Sequence, residues 1–225
     1  MRVHIAAACG FCYGVRRAVE LAAQAEAGTH TLGPIIHNPQ LVDSLSEKGV
    51  TPVNSLAEVA DGSKVLIRSH GVGPDVYDEA EKRRLHIVDA TCPHVKKAQQ
   101  DARKVINAKK VLVIIGEKDH PEVISISQWG GNRAIIIDKV EEAEEIPYCE
   151  TMGVVVQTTF SQSRFKQIES VLAGKTGHLD VYMTICAATR QRQEAAVELA
   201  GKVDAMIVIG GRNSANTGRL AQVCA

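Results

Sequence analysis

The chain has 225 residues, 45% of them apolar and 23% charged, with 26 Lys and Arg balancing 26 Asp and Glu. That length supports one large domain or two to three small ones with buried cores, and the apolar fraction excludes a disordered chain. Zero net charge gives no electrostatic ground for a nucleic-acid or anionic-membrane partner, and no apolar run reaches the roughly eighteen residues that span a bilayer. Met1 runs directly into a strand-like segment without a secretory leader, so the cytoplasm is the expected compartment. There the six cysteines (Cys9, Cys12, Cys92, Cys149, Cys186 and Cys224) are read as thiols or metal ligands rather than disulfides.

In chain order, β-branched runs alternate with helical patterns. Val3–Ala8 reads as a strand and Val15–Ala25 as a helix. A weaker strand lies within Thr29–Ile36, before a helix over Asn38–Glu47. Strand Val65–Arg68 precedes helix Pro74–Arg84, and strand Ile87–Ala90 precedes helix Val95–Ala108. Val111–Ile115 and Ala134–Ile137 read as strands. Val154–Gln157 leads to a helix over Ser161–Leu172, and Val181–Ile185 to one over Thr189–Ala200. Met206–Ile209 is the last strand-like run, and a further helix opens after Ser214. The alternation predicts parallel sheets of the α/β class.

The reactive side chains fall at one kind of place. Cys12, His37, His70, Cys92, His120, Thr158, Cys186 and Ser214 each follow a strand-like run and precede a helical one. In open α/β sheets ligands bind beyond the carboxyl ends of strands, where helix N-termini also converge, so one site is expected to gather these residues. Cys12, Cys92 and Cys186 also stand at similar intervals, each opening a unit of similar size. A third unit matching the others would run well past residue 225, so the chain is read as truncated or shortened.

The cysteines leave alternatives open. Cys9 and Cys12 form CGFC at a strand-to-helix junction, which also describes a thioredoxin-like dithiol. The motif begins too early for a preceding βα element, however, and leaves Cys92 and Cys186 unexplained. A structural zinc site lacks a second close Cys or His pair. Cys92 lies in DATCPHV, and a Cys-Pro step recurs at iron–sulfur ligands. Three widely separated thiolates on a 4Fe–4S cluster leave one iron without a protein ligand, which implies chemistry at the cluster rather than electron passage through it. Cys149 and Cys224 suit buried thiols, and Cys9 carries no assigned role.

Eight segments resemble the 4-hydroxy-3-methylbut-2-enyl diphosphate reductase family, the LytB-type reductases of the non-mevalonate isoprenoid route. They are GFCYGVRRAVE at 10–20, IIHNPQLVDSL at 35–45, IRSHGV at 67–72, DATCPHV at 89–95, DHPEV at 119–123, VQTTFS at 156–161, TICAATRQRQEA at 184–195 and NSANTGRL at 213–220. The resemblance implies three small α/β units in pseudo-threefold arrangement around a central cluster. Divided at the cysteines these are residues 1–92, 93–185 and an incomplete 186–225. It implies one 4Fe–4S cluster per chain on Cys12, Cys92 and Cys186, and diphosphate binding by His37, His70, His120, Thr158, Ser214 and Asn216. Glu122 is the implied proton source, relayed through Thr158. The implied reaction is reductive dehydroxylation to isopentenyl and dimethylallyl diphosphates, with electrons from a ferredoxin or flavodoxin.

The chain departs from the family at Ala215, where a second serine is usual, and in its early stop. Two other readings predict different results. A CGFC dithiol oxidoreductase predicts that Cys9→Ser abolishes activity; a non-catalytic iron–sulfur or diphosphate-binding protein predicts a cluster without turnover.

Overall fold

The computed structural model describes residues 2–225 and contains two four-stranded sheets, both wholly parallel. The first holds β1 (His30–Leu32), β2 (Thr51–Val53), β3 (Lys64–Ile67) and β4 (His86–Asp89) in the order β2-β1-β3-β4. The second holds β5 (Val111–Ile115), β6 (Ile135–Ile137), β7 (Cys149–Val156) and β8 (Thr176–Tyr182) in the order β6-β5-β7-β8. The second sheet therefore repeats the strand order of the first. Parallel pairing forces each connection to cross over a sheet face, so both faces are covered.

On the first sheet, Ala18 and Ala22 of α1 (Tyr13–Ala23) and Leu45 of α2 (Pro39–Glu47) pack with Ile35, Leu66 and Ala90. Ala80 of α3 (Pro74–Lys82) packs on the opposite face with Leu32, Val65 and Ile67. On the second, α4 (Pro93–Asn107) and α5 (Pro121–Trp129) bury Ala98, Ala102, Val105, Val123 and Ile126 against Leu112, Ile114 and Val155. Behind it, α6 (Val140–Glu144) and α7 (Gln162–Ala173) bury Ala143, Phe165 and Ile168 against Val113, Ile115 and Val156. Burial on both faces is why the central strands read as unbroken apolar runs. The last two helices, α8 (Ala187–Ala200) and α9 (Ala215–Cys224), pack on one another.

Each helix starts where its sequence permits. Proline stands at the first turn of α2, α3, α4 and α5, where its missing N–H costs nothing. Side-chain caps take up other free amides: Asn38 accepts from Leu41 N–H at 3.1 Å and Ser214 from Thr217 N–H at 3.3 Å.

Two expected strands are absent. Residues 3–8 and 206–209 are not in strands, and Val3, Ile5, Ile207 and Ile209 are 77%, 78%, 83% and 91% exposed. Neither segment pairs with a strand among the described residues, and a β-branched run without a ladder has no backbone hydrogen bonds to hold it extended. Strand β8 begins and ends earlier than the Val181–Ile185 expectation, because Thr176–Tyr182 pairs along the edge of β7 and the chain then leaves the sheet towards Cys186.

The two sheet units are joined by a buried polar link. The Ser125 hydroxyl in α5 lies 3.0 Å from the His70 carbonyl and 2.8 Å from that of Glu122, and accepts from the Gln99 amide at 3.2 Å. The Trp129 indole N–H donates to Val72 O at 2.9 Å. Gly71, at φ +73°, keeps this loop close, since a Cβ there would collide with the Gln99 amide. Ser125→Ala leaves the His70 carbonyl without this donor and the Gln99 amide with only its long 3.5 Å bond to Val72 O. It is expected to lower stability by about 1–3 kcal/mol, read from urea unfolding.

Candidate active site

Helix starts carry most of the reactive groups. Cys12, Cys92, His120, Cys186 and Ser214 are the N-caps of α1, α4, α5, α8 and α9, while His37 immediately precedes the Asn38 cap of α2. The N–H groups at such starts favour an anion or thiolate in front of them.

Three imidazoles converge from both units. Ring centroids lie 4.3 Å apart for His37 and His70, 5.6 Å for His37 and His120, and 5.4 Å for His70 and His120. Burial lowers all three pKa values, and the neighbouring charge of Arg68 lowers them further. His70 falls well below its ordinary value, with His37 and His120 adding to the effect; His120 is lowered to about 4. All three are therefore neutral near pH 7, each keeping one ring N–H. For His120 the tautomer follows from geometry: Nδ1 accepts from Glu122 N–H at 3.1 Å, so the proton sits on Nε2. The three rings offer nitrogen atoms all within 4.8 Å of one another, a spacing that a single transition-metal ion also accepts. The positive charge of Arg68 acting on all three disfavours a cation there and favours an anion.

Beside this cluster is a buried acid. Glu122, only 2% exposed, accepts from Thr158 N–H at 2.6 Å on one oxygen and from the Thr158 hydroxyl at 2.8 Å on the other. Burial pushes its pKa up to about 7, although both Thr158 hydrogen bonds oppose the rise. Thr158 O in turn accepts from Cys186 N–H at 3.1 Å, which links the carboxyl to the start of α8.

The cysteines are held from several directions. Arg16 donates to Phe11 O at 2.7 Å and Arg192 of α8 donates to Gly10 O at 2.9 Å, fixing the loop before Cys12. Arg17 reaches the Asp89 and Thr91 carbonyls beside Cys92 at 3.0 and 3.3 Å. Gly14 leaves room for the Cys92 sulfur, which would lie 2.5 Å from a Cβ at that position. Burial raises the Cys92 thiol pKa and the N–H groups of His94 and Val95 oppose it, while Cys12 and Glu122 are near enough to act on it by charge. The three sulfurs do not form a group within 4.8 Å among the described residues, so they do not share one ion; separate irons of a cluster require wider spacing. Thiols at three helix starts, with their free amides, and the gap that Gly14 leaves beside Cys92 fit an iron–sulfur cluster. Cys9 is exposed, and neither it nor Cys12 forms a disulfide.

A cavity of about 580 Å³ opens on His37 and His120 and is also lined by Lys118, Asp119, Asp138 and Asn213. Glu117 and Glu142 line it too, and it reaches His37 and His120 but not His70, Arg68 or the cysteines. A smaller one, about 260 Å³, is lined by Ser214 and Arg219. Asn216 lies in the first turn of α9 and lines neither. Sequence reasoning missed Arg68 and Asn213. Arg68 was findable as a cation two residues before a histidine at a strand end. Asn213 lines the cavity beside His37 and acts on its ring through the backbone, which leaves no trace in residue type.

The architecture and these groups define an α/β enzyme unit with thiols and imidazoles at its helix starts, those of Cys92 and His120 following parallel strands β4 and β5. The sequence model described as LytB protein matches residues 3–225, and the chain belongs to that family. The 4-hydroxy-3-methylbut-2-enyl diphosphate reductase of Pelobacter propionicus is 46% identical over 228 residues, covering 100% of this chain and 81% of that protein. The solved structure of the E-1-hydroxy-2-methyl-but-2-enyl-4-diphosphate reductase of Plasmodium falciparum superposes with a TM-score of 0.90 at 28% identity, over 96% of this chain and 70% of that one. A second, of (E)-4-hydroxy-3-methyl-but-2-enyl diphosphate reductase, gives 0.75 at 39% identity, over 99% and 81%. No helix among the described residues is long and apolar enough to cross a membrane.

Proposed function

We propose that the chain reduces (E)-4-hydroxy-3-methylbut-2-enyl diphosphate to isopentenyl and dimethylallyl diphosphates, the terminal step of the non-mevalonate pathway. Residues 1–92, 93–185 and 186–225 serve as its three units around one 4Fe–4S cluster. The reading is supported by family membership and, above all, by the Glu122–Thr158–Cys186 chain of hydrogen bonds, which joins a proton-bearing carboxyl to a thiol ligand position.

Cys12, Cys92 and Cys186 would hold the cluster, which would pass on two electrons, one at a time, from the external donor and offer a Lewis-acid iron. His37, His70 and His120 bind the diphosphate through ring N–H groups, with Ser214 and Asn216 at the start of α9 completing the anchor. Thr158 orients the substrate hydroxyl through Oγ1. Glu122 holds a proton near neutral pH and passes it through Thr158 to the departing hydroxyl, which leaves as water; a second proton completes the product. The cytoplasm is the compartment this chemistry suits, with a ferredoxin or flavodoxin as electron donor.

The test is anaerobic reconstitution with iron and sulfide, followed by turnover with a reduced dye as donor. Formation of both five-carbon diphosphates supports the reading. A cluster-loaded chain that binds substrate without turnover rejects catalysis by this chain.

A further inference from the structure

Arg68 rises from the end of β3, two residues before His70. Its Nε is buried without a hydrogen-bond partner, and Nδ1 of His70 is in the same condition. No ion pair among the described residues includes this guanidinium. The side chain is only partly buried, but a guanidinium nitrogen shut off from water without an acceptor is costly, so an arginine held this way calls for an anion. The loop that carries His37 makes room for it: Gly33 has φ +74°, and a Cβ there would lie 2.5 Å from a guanidinium nitrogen of Arg68. A side chain at residue 33 would displace the group.

We infer that Arg68 is the permanent positive charge of the histidine pocket, binding and positioning a diphosphate that three neutral imidazoles could orient but not neutralise. This rests on the diphosphate reading of that pocket. Burial lowers the Arg68 pKa without discharging so strong a base. Its charge lowers all three histidines, which keeps them neutral until the ligand arrives. An arriving diphosphate then compensates the arginine and draws protons towards the imidazoles.

The test uses the full chain, inorganic pyrophosphate as probe, and the variants Arg68→Met and Arg68→Lys. Calorimetric titration at two ionic strengths is expected to show Arg68→Met weakening pyrophosphate binding about ten- to a hundredfold, with a shallower salt dependence. Arg68→Lys recovers most of the affinity. The ligand-free Arg68→Met chain melts no lower than wild type, since a buried, unpartnered Nε has been removed. In Arg68→Met the histidine ring protons titrate at higher pH in NMR. Equal affinity in wild type and Arg68→Met overturns the inference. So does a loss in both variants accompanied by lower melting and unshifted histidine titrations, which marks a structural role. If wild type itself does not bind pyrophosphate, the diphosphate pocket falls, and the role of Arg68 with it.

Discussion

Glu122→Gln is expected to leave pyrophosphate affinity within about twofold of wild type while turnover falls about a hundredfold or more. The substitution is isosteric. The glutamine carbonyl accepts from Thr158 N–H as the carboxyl does, while its amide donates to the Thr158 hydroxyl, keeping that pair joined with the bond reversed. The transferable proton is lost. The pH dependence of stability supplies a second readout. Burial raises the Glu122 pKa from 4.5 to about 7, so between those values the folded chain binds more protons than the unfolded one. This contribution is fully present below the unfolded value and is lost as pH rises through the folded one, about 3 kcal/mol across the interval. Glutamine does not titrate, so urea unfolding at pH 5 and pH 8 should differ less in Glu122→Gln than in wild type. Wild-type turnover in the variant removes Glu122 from the mechanism.

Cys92→Ser is expected to reduce reconstituted iron and acid-labile sulfide to a small fraction of the wild-type content, with Cys9→Ser close to wild type. Serine is a good N-cap, so α4 keeps its start while the cluster loses a soft ligand. Circular dichroism of the two variants should therefore agree. The contrast with Cys9 decides between readings, because a CGFC dithiol enzyme needs Cys9 and is indifferent to Cys92. If Cys9→Ser loses the cluster and Cys92→Ser retains it, the proposed ligand set is wrong.

Much of the fold was legible because both sheets are parallel and buried on two faces, leaving β-branched runs such as Val111–Ile115 and capped helices such as Asn38–Glu47 close to their observed places. What escaped was short or atypical. Strand β2 has three residues, one of them Pro52, and sits at a sheet edge where proline needs no partner. Helix α5 buries Glu122 and Ser125 beside Val123 and Ile126, so no apolar stripe announces it. The N-terminal and Met206–Ile209 runs had strand composition, but composition does not supply a pairing partner. In the site, the order of strand, reactive residue and helix was visible in Cys92 and His120. The spacing of Arg68 to His70 was legible, but the approach of His120 to His37 and His70 depends on how the two units meet, and no local pattern encodes that.

The placement of reactive groups at helix starts has a consequence for how the protein tolerates change. A residue ahead of a helix lies outside the packed layers, so exchanging it leaves the cores of both sheets intact. Cysteine, histidine and serine all fill such starts here. Replacements drawn from good capping residues can therefore alter reactivity in single steps without passing through unfolded ancestors, which makes this end of the molecule adaptable while its layers stay under strict constraint.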